Sequence, residues 1–145
     1  MPNARILGIG VLMAAALTPL QAGAQQNETS PTSISEATIA QLKLGNPKAA
    51  INTFFGANPL VAEKKGEFTV LESQIGGAVS IYGKITTCEL TETAKRGSLV
   101  EYRLYLCQHD HVVTRWRFLF VRGSTGWNGY NLSFDDKPHL PLNEP

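Results

Sequence analysis

The feature that most constrains this chain is a change of hydrophobic period at Gly83. Before it, apolar residues recur every three or four positions; after it, they alternate with polar ones. The first period belongs to helices with one buried stripe, the second to strands with one buried face. Helices followed by a run of strands predict an α+β fold, with N-terminal helices packed on a curved four-stranded antiparallel sheet.

Ser33 and Glu36 have the spacing of a capping box and predict a short helix through Leu44, with Ile39 and Leu42 on its apolar side. Gly45 stops it. Asn46-Pro47 opens a second helix, whose buried stripe is Ala50, Ile51, Phe54 and Phe55. Asn58-Pro59 repeats that signal for a brief turn. Thr69 and Glu72 then cap a third helix carrying Phe68, Leu71, Ile75, Val79 and Tyr82. Within it, Gly76-Gly77 costs about 1 kcal/mol per glycine against alanine, which predicts a close approach of helix to sheet.

The strands are expected at 85–92, 99–107, 112–122 and 127–134. Alternation places Tyr102, Leu104, Leu106, Trp116, Phe118, Phe120, Tyr130, Leu132 and Phe134 inward. Tyr105, Leu119, Val121 and Trp127 fall on the outer face among Arg103, Arg115 and Arg117. No carboxylate or imidazole belongs to the inward set.

The termini read differently from the domain. A lone Arg5 precedes the apolar run 6–17, Pro19 and the small residues Ala22-Gly23-Ala24. This is the layout of a signal peptide over 1–24, with Gln25 as the new N-terminus and a periplasmic or secreted product. Residues 25–32 read as a disordered leader, 33–136 as one domain and 137–145 as a frayed tail. No later stretch approaches the ~20 apolar residues of a membrane span.

Without residues 1–24 the chain carries equal numbers of basic and acidic side chains. Clustered positive charge of the kind that neutralises phosphates is missing, which excludes a nucleic-acid binder. Cys88 and Cys107 form the only thiol pair, and an oxidising compartment favours a disulfide. A two-residue Gly97-Ser98 turn sets them opposite each other; aligning the apolar faces separates them unless a bulge intervenes.

Tyr82-Gly83 leads into the first strand, and the later strands carry Trp116-Arg117-Phe118-Leu119-Phe120-Val121, Gly126-Trp127 and Leu132-Ser133-Phe134-Asp135-Asp136. With these residues, the span from Ser33 to Asp136 resembles the NTF2-like (cystatin-like) superfamily, particularly its small exported members of unknown function. The resemblance implies a cone-shaped sheet with a hollow interior. Enzymes of that family, such as the ketosteroid isomerase type, keep an Asp base inside the cone, and no Asp maps to the inward set here.

Among the polar motifs, His109-Asp110-His111 offers donors for a metal but is expected as a solvated turn, too few for a closed zinc site. Asp135-Asp136 is expected to solubilise a strand end. Nucleophile elbows, phosphate loops and dinucleotide fingerprints are absent from the sequence, so no catalytic residue, metal or cofactor is assigned. Three roles follow. The first is an exported non-catalytic domain that binds a partner protein or its own copy through Tyr105, Arg115, Arg117 and Trp127 on the outer face. The second is a carrier of a small apolar ligand near Tyr102, Trp116 and Tyr130 inside the cone. The third is an isomerase- or dehydratase-like enzyme.

Overall fold

The computed structural model describes residues 29–144; the signal segment expected over 1–24 and the leader over 25–28 lie outside the described residues. Helices α1 (Pro31–Lys43), α2 (Pro47–Phe55) and α3 (Lys65–Tyr82) precede strands β1 (Thr87–Arg96), β2 (Val100–Gln108), β3 (Val113–Gly123) and β4 (Gly126–Asp135). A 3₁₀ turn at Pro59–Ala62 joins α2 to α3. The strands form an open antiparallel sheet in the order β1-β2-β3-β4, and the helices pack against it. This is the α+β arrangement that the change of period predicts. Among the described residues no helix is long and apolar enough to cross a membrane.

Helix α1 starts earlier than expected. Ser30 is its N-cap, Pro31 takes the first helical position, and Ser30 and Ser33 exchange hydrogen bonds in a capping box. Pro31 and Thr32 are therefore helical rather than part of a leader, because this pair caps the helix before Ser33 and Glu36 can. Helix α2 follows the predicted pattern: Ala50, Ile51, Phe54 and Phe55 are all buried. Phe54 meets Phe118 and Phe120 edge to face, with centroids 5.5 and 5.2 Å apart.

Helix α3 also begins before its expected cap. Thr69 lies inside it and donates to the Lys65 carbonyl. Ile75 is buried, and Phe68 stacks on Phe55. A Cβ added at Gly76 or Gly77 would meet open space, so these glycines mark no close packing against the sheet. The close approach occurs instead at Gly129 of β4, where a Cβ would run into the Phe54 backbone oxygen. Helix α3 ends at Gly83, whose φ of 87° lies in the region that favours glycine.

The β1–β2 hairpin resolves the cysteine problem. Near its three-residue loop, Arg96 pairs with Val100 and Glu92 with Leu104; past a bulge at Thr91 the register shifts, and Leu90 pairs with Tyr105. That one-residue shift sets Cys88 opposite Cys107, and the two are bonded.

The face of β2 differs from expectation. Tyr105 pairs with Trp116 and Arg103 with Phe118, so Glu101, Arg103, Tyr105 and Cys107 face the helices. Tyr102, Leu104 and Leu106 point the other way. An apolar outer face is stable here because the C-terminal segment lies over it. Leu142 is buried there, its N–H donating to Glu92, while Arg115 and Arg117 donate to the carbonyls of Pro141 and Glu144. The stretch expected to fray is thus held at three points.

Candidate binding site

Two concavities open between α1 and the β1–β2 hairpin. The larger is a groove of about 980 Å³. Helix α1 contributes Ile39 and Ala40, and Leu44 just past its C-terminal end joins them; Ile85, Cys88, Leu90 and Tyr105 complete the apolar surface. Glu36, Lys43, Thr32 and Arg103 bring the polar groups. Leu44 and Leu90 are 70% and 46% exposed, unusual values for leucines converging on one concavity.

The smaller concavity, about 660 Å³, lies at the N-terminal end of α1. Glu101 and Arg103 line it, although both are nearly buried. Their pairing accounts for this. Arg103 Nε donates to Glu101 Oε1 at 2.7 Å, Nη1 to the Tyr105 hydroxyl at 3.2 Å and Nη2 to Thr32 Oγ1 at 2.6 Å. Burial works against the Arg103 charge, but the hydrogen bonds to Glu101 and Tyr105 outweigh it and raise its pKa above the ordinary value. Lys95 Nζ stands 3.6 Å from Glu101 Oε2. The helix-facing side of the sheet thus holds a carboxylate that alternation had placed outside. Both of its oxygens face cations, so the buried carboxylate is satisfied within the protein.

The residues expected to line one cavity do not meet. Tyr102 is on the outer face, and Trp116 is packed in the core with Nε1 donating to Thr114 Oγ1. Tyr130 falls at a bulge in the β3–β4 pairing, is half exposed, and lies under Lys64 Nζ at the start of α3. The expected outer interface also divides. Tyr105 and Trp127 face the helices, while Arg115 and Arg117 stay outside under the tail.

His109 is not a solvated turn residue. It is buried, with Nδ1 2.9 Å from the Gly83 carbonyl and Nε2 2.9 Å from Thr114 Oγ1. Only a protonated Nδ1 can donate to a carbonyl, so that tautomer is assigned from its partners. Asp110 accepts from the Lys84 N–H instead of joining His109. Asp135 likewise has a structural use: Arg115 donates to it from Nη2 at 2.6 Å and from Nε at 3.1 Å, and Arg117 stands 3.5 Å away. Sequence reasoning missed Glu101, Thr32 and the groove itself. The signal for Glu101 and Arg103 was their i, i+2 spacing, which puts two opposite charges on one strand face.

No protein-family model matches the chain, and no curated protein resembles it significantly. Among solved structures, the chain is similar to a DUF4783 family protein from Bacteroides uniformis, at 14% identity and a TM-score of 0.49, over 70% of this chain and 94% of that one. A likeness at this level bears on neither family nor role.

Proposed function

We propose that this chain is an exported, non-catalytic binding domain of NTF2-like type that carries an apolar ligand in the groove between α1 and β1–β2. The observation that carries the reading is the convergence of Leu44 and Leu90, both well exposed, on a concavity floored by Ile39, Ile85 and Tyr105. Apolar side chains left open in a concave surface are the usual lining of a ligand site. The C-terminal segment lies over Arg115 and Arg117, which supports the groove over the outer sheet face as the binding surface. The layout of residues 1–24 and the Cys88–Cys107 bond support export.

Two measurements test this. Expression in a bacterial host followed by N-terminal sequencing is expected to give Gln25 as the first residue of material in the periplasm or medium; an intact Met1 in the cytoplasm would overturn export. Native mass spectrometry of gently purified protein is expected to show a bound apolar mass. Ala40→Trp, which fills the groove from α1, is expected to remove it. Empty wild-type protein that also fails to bind an apolar dye would sink the carrier role.

A further inference from the structure

The Cys88–Cys107 bond belongs to the wall of the apolar groove. Cys88 is half-buried and lines the groove together with Ile85 and Leu90, whereas Cys107 is fully buried. A thiolate from outside therefore meets the bond at Cys88, through the groove. Both wall residues reach this face only because of the bulge at Thr91, which pairs Leu90 with Tyr105 and Cys88 with Cys107 on the helix-facing side.

The register without a bulge builds a different wall. The loop end pairs Arg96 with Val100 and Glu92 with Leu104; continued past Thr91, that pairing sets Thr91 opposite Tyr105 and Glu89 opposite Cys107. Leu90 then falls opposite Leu106, on the outer face. A one-residue slip of this kind exchanges the two faces of a strand. The groove would hold a threonine in place of its leucine and a carboxylate in place of its sulfur, which ends its fit to an apolar ligand. Strand β1 lies at the sheet edge, so the slip disturbs its pairing with β2 alone. The disulfide excludes that register, because Cys88 faces Cys107 only in the bulged pairing.

From this placement we infer that the disulfide gates the groove: the oxidised protein holds an apolar ligand and the reduced protein releases it. The inference rests on the carrier reading above and adds its control. The reductant is a dithiol. One of its thiolates attacks Cys88 Sγ and expels Cys107 as a thiolate, which takes up a proton. Its second thiolate attacks the mixed disulfide and expels Cys88, which is protonated likewise, while the dithiol closes to its own disulfide. Two electrons and two protons thus pass to the protein. Linkage makes the coupling mutual: a ligand held more tightly by the oxidised form protects the bond by the same factor.

The test titrates the neutral fluorophore N-phenyl-1-naphthylamine into oxidised protein and into protein reduced with dithiothreitol. Reduction is expected to weaken binding about tenfold while the far-UV circular dichroism keeps its amplitude. In a dithiothreitol redox buffer, saturating fluorophore is expected to move the equilibrium toward the disulfide by that same factor. Removal of Thr91 makes the inward placement of Cys88 and Leu90 continuous with the loop end. This deletion variant is expected to bind equally in both redox states, which a merely looser fold would not do. Equal affinities of oxidised and reduced wild type would overturn the gate and leave the carrier reading intact. Reduced protein that has lost its secondary structure would also overturn the gate, as would a deletion variant as redox-sensitive as wild type. Failure of the oxidised wild type to bind the fluorophore would overturn carrier and gate together.

Discussion

Arg103 of β2 and Thr32 of α1 are joined by a 2.6 Å hydrogen bond across the opening between sheet and helix. The same guanidinium neutralises Glu101, so one side chain both satisfies a buried charge and ties the first helix to the sheet. Arg103→Met leaves the Glu101 carboxylate without its nearest cation. The expected loss is about 3–5 kcal/mol by urea denaturation, with the double variant Glu101→Leu/Arg103→Met recovering most of it. A single variant as stable as wild type would refute the role assigned to the pair.

Asp135 supplies a pH dependence of known sign. Burial acts to raise its pKa, but hydrogen bonds from Arg115 and the Lys137 N–H, with the charges of Arg115 and Arg117, outweigh this and hold it below 3.8. The folded state thus prefers the carboxylate more than the unfolded state does. The stabilisation is complete above the unfolded pKa and disappears as pH falls through the lower folded value. Asp135→Asn is expected to be less stable than wild type at pH 7, with the two curves converging in strong acid. Parallel curves across the acid range would contradict this.

Three glycines make opposite predictions. A Cβ at Gly76 or Gly77 meets nothing within 4 Å, so alanine at either position is expected to stabilise α3 by about 0.5–1 kcal/mol. At Gly129 the same Cβ collides with the Phe54 backbone, and Gly129→Ala is expected to cost about 1–3 kcal/mol by forcing α2 away from β4. Thermal unfolding of the three variants gives the sign of each shift directly.

The Cys88–Cys107 bond closes a loop with a sequence separation of 19. Replacing both cysteines by serine is expected to lower stability by about 3 kcal/mol, chiefly by freeing the unfolded chain. Reductant should move the wild type toward the double variant and leave the double variant where it is. A reductant effect of equal size on both would point elsewhere.

Much of the architecture is legible in the chain because local signals agree with tertiary ones. Asn46-Pro47 starts α2 and Gly45 precedes it, and all four residues of the predicted stripe are buried. β2 is where local pattern fails. Alternation assigns Tyr102, Leu104 and Leu106 to the core, since apolar residues usually go inside. The actual face is set by two things no window around β2 contains: a helix hydroxyl at Thr32 that receives Arg103, and a tail some 40 residues onward that covers Leu104's side. His109 escaped for a related reason. Its two partners, Gly83 and Thr114, belong to different elements, and a turn motif says nothing about them.

The extra residue at Thr91 makes oxidation a checksum on strand pairing. A hairpin annealed without that bulge would leave its two sulfurs on opposite sides and remain open to alkylation, whereas the correctly framed one locks itself covalently. Misframed molecules are thereby marked by the very thiols they fail to join.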